Sequence, residues 1–370
     1  MNLDFSDDQK MLKDQARKVL SEKSPPGANR AVLEGTAPYD AKLWAQVGEL
    51  GWLGCAIPEA YGGLGLGYLE LCVIAEELGR AIAPVPVSSS IYLAAEAILR
   101  LGTEEQKQAH LPRLAAGEVV GTLALAEGVG VPRPERLETR LEGGRLTGRK
   151  IAVPDGLGAG LAVVAAREGQ GVSIALVDLS EKGVGRAAER SIDPSRKSAT
   201  LTFEGARAER LGPAGEGWAE LQAVLSRAAV LVAFEQVGGA DACLAIARDY
   251  ALSRYAFGRL IGSFQAIKHK LADMYTHTEL ARSNAYYAAW ALSTDAPELP
   301  LAAASARVSA SHAFDYAAKE MLQTLGGMGI TWEADGHLYL RRAAGLRLLL
   351  GAPRGWKERL VRELERRNAA

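Results

Sequence analysis

The sequence predicts an α+β fold in three successive parts: helices, a compact β region, then helices again. Residues 1–118 place apolar side chains at helical spacing. Residues 119–212 hold short apolar runs bounded by Gly, Asp and Pro, the pattern of strands. Residues 213–370 return to long stretches rich in Ala and Leu. Such an order suits separate layers and not a sheet of alternating βαβ units. At 370 residues the chain can build two or three packed domains.

The first helix spans Phe5 to Leu20, with Ser6 placed to cap it. Ala41 to Leu50 is a second. Pro58 and clustered glycines break the pattern in IPEAYGGLGLG, from Ile57 to Gly67, and Leu69 to Leu78 resumes it. TEEQ opens another helix as a capping box, in which Thr103 and Gln106 satisfy each other's free amides. The β region offers GTLALA, LAVVAA, VSIALVDL and ATLTF as strands, and Glu127 to Thr139, with Pro132 and Pro134, as a loop. Beyond it, Glu220 to Tyr250, Phe264 to Leu292 and Leu301 to Leu325 are each long enough for a bundle helix. Trp356 to Arg367 forms a charged closing helix.

Lys plus Arg number 43 and Asp plus Glu 44, so no excess positive charge points to nucleic acid or a membrane surface. Cys55, Cys72 and Cys243 are far apart, without CxxC spacing; they suit a reducing cytoplasm and predict neither disulfides nor a metal site. The opening MNLDFSDDQKMLKD has acids and no apolar core, so no signal peptide is expected. The strongest apolar stretch, Ala228 to Gly239, is too short to span a bilayer, and no membrane association is expected.

Four segments occur in a telling order: IPEAYGGLG, GTEEQKQAHLPRLAAGE, RYAFGRLIGSFQAIKHKLADM (Arg254 to Met274) and QTLGGMGITWE (Gln323 to Glu333). Together they resemble the acyl-CoA dehydrogenase family over nearly the whole chain. The resemblance implies an α-helical N-terminal domain at 1–118, a β-barrel at 119–212 and a C-terminal four-helix bundle at 213–370. It implies FAD held between the last two domains with help from a neighbouring subunit, in a homo- or heterotetramer. The implied reaction is α,β-dehydrogenation of an acyl-CoA, in fatty acid or steroid side-chain degradation, with electrons passing to an electron-transferring flavoprotein.

Site residues follow from the same resemblance. Arg254 would meet the FAD diphosphate across the dimer interface, its planar fork suiting phosphate oxygens. Phe257 would pack near the cofactor and Gln265 would hydrogen-bond it. Gln323, Gly326 and Gly327 would let backbone approach the adenine half of another subunit's FAD. The plainer alternative makes Arg254 a surface charge and the glycine pair a helix C-cap.

The sequence also departs from the family. Ungapped counting puts the usual catalytic Glu position on Leu350, and the alternative placement on the first bundle helix falls on Ala228. Neither side chain accepts a proton. The family's TEPxxGSD segment, which binds flavin and the CoA side of the substrate, has become AEGVGVPRP, keeping Glu127. The aromatic that stacks by the flavin falls on Ala152, removing stacking surface.

Glu235 is the candidate base that remains. It is the one charged residue between Arg227 and Asp241. It lies two helical turns beyond Ala228, roughly 10 Å along the axis, and an apolar setting raises a carboxylate's pKa. Its alternative is a buried structural carboxylate. Glu333 is read as ordering a loop, His337 as structural, His269 as exposed, Asp273 and Tyr275 as helix packing. Trp332 stacks on adenine or fills core. Two functions therefore stand side by side: an active dehydrogenase using Glu235, and a non-catalytic partner in a heteromeric dehydrogenase that lends flavin contacts through Arg254 and Gln323. Ala228, Leu350 and Gly351 leave room for a bulky acyl group.

Overall fold

The computed structural model describes residues 5–369. The first helices are α1 (Asp7–Lys23), α2 (Pro26–Glu34), α3 (Ala41–Glu49) and α4 (Tyr68–Arg80). A π-helical segment, Ser88–Ala95, runs into α5 (Glu96–Leu101), and α6 is Glu104–Ala115. The strands are β1 (Gly121–Ala124), β2 (Arg140–Glu142), β3 (Arg145–Pro154), β4 (Leu161–Glu168), β5 (Gly171–Asp178), β6 (Val184–Ala188), β7 (Ser198–Arg207) and β8 (Glu209–Leu211). Then come α7 (Gly217–Ser253), the hairpin β9 (Tyr255–Ala256) and β10 (Arg259–Leu260), and α8 (Gln265–Ser293). The chain closes with α9 (Leu299–Leu325), α10 (Gly336–Leu349) and α11 (Pro353–Ala369).

The helical, β, helical order is as expected, and so are both capping boxes. The Ser6 side chain accepts from the Gln9 amide, and the Gln9 side chain accepts from the Ser6 amide. Thr103 and Gln106 do the same at α6. Compactness cuts across the three parts, giving two units. One gathers the chain up to Ala31, Cys72–Ala83 and Ala229–Ala370; the other gathers Val32–Leu71 and Pro84–Ala228.

In the first unit, α8 and α9 run against each other through alanines that are buried on both, such as Ala281, Ala285, Ala303 and Ala306. Small side chains let the helices close. α1 buries few apolar residues, Ala16 and Leu20. It is anchored by ions instead: Lys13 Nζ lies 2.9 Å from Glu76 Oε2, and Arg17 forks onto Glu77 at 2.8 and 3.0 Å. Both glutamates are on α4 and buried. Arg282 of α8 bonds Glu76 as well.

In the second unit the strands form one eight-stranded sheet in the order β6-β7-β3-β2-β4-β5-β8, with β1 parallel beside β4. The barrel expected at 119–212 is thus present as a sheet whose hydrogen-bonded path ends at β6 and β8. β4 and β5 pair from Leu161↔Asp178 to Glu168↔Gly171 and are buried through their middles, which is why they read as unbroken apolar runs. β3 pairs β7 with a register shift between Lys150 and Val153, and Ala152 in that bulge has φ +50°.

α7 is longer than the apolar stretch at its centre suggested. By length and composition it could cross a membrane, but 78% of its most apolar window is buried inside the protein, as in a core helix.

Candidate functional site

The six residues expected to touch a cofactor are all exposed, and all belong to the first unit. α7 ends at Ser253, and the chain turns through the β9–β10 hairpin. The Ile261 amide donates to the Arg254 carbonyl at 2.8 Å, closing the hairpin's base. Phe257 and Gly258 form its two-residue tip with φ +53° and +79°, the positive values that a tight primed turn demands. A phenylalanine there is disfavoured by roughly 1–2 kcal/mol. Its ring is 95% exposed and meets Phe264 edge-on at 6.3 Å. Arg259 lies over the other aromatic, 4.0 Å from the Phe264 centroid. Gln265 follows as the first residue of α8.

The Arg254 guanidinium has no side-chain partner among the described residues. The second group sits at the end of α9, where Gly326 takes φ +62° and caps the helix by donating to the Gln323 carbonyl. A β-carbon on Gly326 or Gly327 would meet nothing within 4 Å. An ion pair between Lys270 and Glu320 ties the early turns of α8 to the late turns of α9, so both groups occupy the same end of this helical unit. An unpaired planar cation, an exposed ring and open glycine backbone suit a diphosphate and a flat heterocycle brought to this surface.

The sheet region has a different character around Lys150, Ala152 and Glu127. The Ile151 amide donates to Ala126 O at 2.8 Å, closing the chain after β1 onto β3. Lys150 is fully buried and bonds Glu127 Oε1 at 2.6 Å and Leu125 O at 3.2 Å. Burial pushes its ammonium down to about 8, although Glu127 opposes the shift. Burial also works against charge on Glu127, but Lys150 and the amides of Glu138 and Thr139 outweigh it and hold the carboxyl below its ordinary value. The Ala152 amide donates to Glu189 at 3.1 Å, so a carboxylate stands where the resemblance places a stacking aromatic.

Glu235 lies in a closed helix crossing of the first unit, 3% exposed. Its neighbour Gln236 accepts from Arg307 at 2.6 Å, and Arg307 also donates to the Leu346 carbonyl. Burial pushes the Arg307 guanidinium down to about 9, and the Glu235 charge is what opposes this. Glu235 thus shares a buried setting with an arginine on which its charge acts, a setting that suits a structural carboxylate. Ala228 is fully buried, and Leu350 is nearly so, its carbonyl accepting from Trp356 Nε1 at 3.0 Å.

Other candidates stay apart from this chemistry. His337 stacks on Trp332 at 4.7 Å, with Nε2 3.2 Å from the Trp332 carbonyl, and burial lowers its pKa. Trp332 is half exposed, and Glu333, His269, Asp273 and Tyr275 are exposed. Exposure of Asp273 and Tyr275 differs from the helix packing expected of them. Among the described residues no three His, Cys, Asp or Glu side chains cluster as metal ligands.

The structure adds a polar group in the second unit that no pattern in the chain announces. Glu96 bonds Arg227 Nε at 2.6 Å and accepts from Tyr68 OH at 2.7 Å, while Arg227 lies 4.7 Å from the Tyr68 ring centroid. Arg227 directly precedes Ala228. Three helices supply these side chains, and no local spacing links positions 68, 96 and 227.

Comparison with known proteins identifies the family. The family model for the acyl-CoA dehydrogenase N-terminal domain matches residues 6–118, and that for the C-terminal domain matches 215–355. The chain is 34% identical over 359 residues to acyl-CoA dehydrogenase IpdE2 of Mycobacterium tuberculosis, covering 97% of this chain and 98% of that one. It is 33% identical over 355 residues to mitochondrial isovaleryl-CoA dehydrogenase of Solanum tuberosum, covering 92% and 86%. Its structure is similar to that of the ChsE4-ChsE5 complex from Mycobacterium tuberculosis, with TM-score 0.90, 27% identity and 99% coverage of both chains.

Proposed function

This chain belongs to the acyl-CoA dehydrogenase family, and from that premise we propose that it serves FAD-dependent α,β-dehydrogenation of an acyl-CoA as one subunit of a heteromeric assembly. The observation that carries this reading is the environment of Glu235. Ala228 and Leu350 offer no proton acceptor, and Glu235 is 3% exposed, with its charge acting on buried Arg307. A general base must reach the proton it takes as well as hold the right pKa. The base then comes from another subunit.

Bound FAD would supply a hydride acceptor for the dehydrogenation. This chain's part is binding. Arg254 would fork to the diphosphate, Phe257 would shield the cofactor, Gln265 would hydrogen-bond it, and Gln323 with Gly326 and Gly327 would receive the adenine half. The weak platform at Ala152, with Glu189 beside it, suits a chain that lends these contacts to a partner's flavin. A tetramer of two kinds of chain, passing electrons to an electron-transferring flavoprotein, completes the proposal. The relative whose structure is a complex of two differently named chains supports the heteromeric form.

The test is the visible spectrum of the purified chain, alone and co-expressed with a candidate partner from a neighbouring gene. We expect a colourless protein alone and a flavin band, bleached by acyl-CoA, from the co-expressed pair. A chain that binds flavin alone and bleaches with substrate overturns the heteromeric reading and makes Glu235 the base to pursue. In the active assembly, the open space at Gly351, where a β-carbon would meet nothing within 4 Å, predicts faster turnover of ring-bearing thioesters than of butyryl-CoA. The reverse preference counts against a bulky substrate.

A further inference from the structure

Two histidines of the first unit stand together, His277 on α8 and His312 on α9. Their ring centroids are 4.8 Å apart and their planes meet at 87°. Tyr316, one turn beyond His312, has its ring centroid 4.8 Å from that of His277. The alanine packing that closes α8 on α9 brings these side chains side by side. His312 is exposed, and His277 and Tyr316 are half-buried. No ring nitrogen of either histidine, and no Tyr316 hydroxyl, makes a hydrogen bond among the described residues. The group is separate from the cofactor-binding candidates, since His277 lies roughly 18 Å along α8 from Gln265.

The spacing suits one metal ion held by both imidazoles. A metal–nitrogen bond of about 2.0–2.1 Å puts each ring centre about 3 Å from the ion, and the two centres about 4.5–5.5 Å apart at square-planar or tetrahedral angles. The observed 4.8 Å lies within that range. His312 is exposed, and rotation about its broad χ2 well can aim a nitrogen at the shared point. Charge nearby is mostly paired: Lys319 lies 2.6 Å from Asp315, Arg347 is 3.8 Å from the same carboxylate, and Lys270 bonds Glu320. Asp273, one turn before His277, acts on Tyr316, and Lys357 of α11 acts on His312. Partial burial, and then His277, hold the His312 pKa below its ordinary value against the pull of Asp315. Neutral imidazole is the form that binds metal. Burial, and then Glu320 and Asp273, raise the Tyr316 pKa and keep it a neutral phenol.

We propose that His277 and His312 bind a divalent transition-metal ion that favours imidazole, Zn(II) or Cu(II), with water completing the coordination and Tyr316 hydrogen-bonding that water. No third His, Cys, Asp or Glu joins the pair among the described residues, so the remaining positions are open to solvent. The bound ion ties the middle of α8 to the middle of α9. This assignment rests on the helix pair alone and is independent of the flavin chemistry.

The experiment is Cu(II) titration of the purified assembly read by electron paramagnetic resonance, with thermal melts in Zn(II). We expect one Cu(II) per chain bound by two imidazole nitrogens, and a melting midpoint that rises with Zn(II) concentration. His277→Asn and His312→Asn should each weaken binding at least about tenfold and remove the rise. Tyr316→Phe should weaken binding less than either. His269→Asn, an exposed histidine on the same helix, should change neither readout. Binding should be lost as pH falls through about 6.5, because a protonated imidazole has no lone pair to give. A signal from one nitrogen, or wild-type affinity in either Asn variant at 277 or 312, overturns the site. An equal loss in His269→Asn assigns the metal to scattered surface imidazoles and overturns the pair as well. A midpoint that Zn(II) leaves unmoved overturns the link between the helices.

Discussion

Gly79 of α4 and Glu235 of α7 meet backbone to backbone: a β-carbon on Gly79 would lie 1.9 Å from the Glu235 carbonyl oxygen. Gly238 makes the reciprocal approach, its β-carbon position 1.8 Å from the Glu76 carbonyl. The crossing thus fixes two glutamates of opposite assignment, one acting on Arg307 and one receiving Lys13 and Arg282.

Gly79→Ala forces these helices apart and should destabilise the protein by at least about 1–3 kcal/mol, the usual cost of overpacking. Gly27→Ala, on α2 with nothing within 4 Å of the new carbon, should be neutral or stabilising by up to about 1 kcal/mol. Thermal melts of the two variants check the contrast. Equal midpoints would show that the crossing can relax.

Glu235→Ala removes a buried charge that acts on buried Arg307 and should cost about 3–5 kcal/mol if the two form a buried pair. Glu235→Gln should also lower stability while leaving turnover of the assembled enzyme within about twofold, as a structural carboxylate implies. Steady-state kinetics of the Gln variant decide between roles. A loss of about 10²-fold or more in kcat with flavin retained would make Glu235 the base.

Acid should loosen α1. Burial disfavours charge on Glu76, but Arg282 and Lys13 outweigh it and hold its pKa below the ordinary carboxylate value. A depressed carboxyl pKa contributes stability that is present above the unfolded value, about 4.3, and is lost as pH falls through the folded value. Hydrogen exchange in α1 should therefore accelerate below about pH 4.3. Glu76→Gln should remove that pH dependence and weaken α1 docking at neutral pH. An acid response unchanged by the substitution would place the loss elsewhere.

Arg254→Ala should weaken flavin retention in the assembly by roughly 10–100-fold, the loss of charge-assisted bonds to a diphosphate. Arg254→Lys should recover part of it, because the ammonium keeps charge but loses the fork. Flavin dissociation followed by fluorescence measures both. The fold is not at stake, since Arg254 is exposed and has no side-chain hydrogen bond or ion pair among the described residues.

Local sequence made several elements legible. Ser6 with Gln9 and Thr103 with Gln106 are capping pairs three residues apart, so backbone amides decide them without distant help. The strands at Leu161 and Val172 announced themselves as apolar runs because both faces are covered. β3 escaped notice because it carries Arg149 and Lys150, and Lys150 is buried by an ion pair that no local pattern shows. Gly336–Leu349 escaped as well, since its arginines hide the apolar face.

The candidate site divides along the same line. Arg254, Phe257, Gln265 and Gln323 were readable from motif order, and their exposure follows from lying at a hairpin and at helix ends. The resemblance placed the usual base positions on Ala228 and Leu350, whose side chains accept no proton. The setting of Glu235 could not be read, because Arg307, on which its charge acts, is 72 residues away on α9. Neighbours such as Glu235 and Arg307, Glu96 with Arg227 and Tyr68, or His277 and His312 arise when separate elements pack. Periodicity and capping act within a few residues of the chain and are written into it directly. Charge balance and side-chain clusters depend on neighbours in space, and those exist once the helices and the sheet have closed.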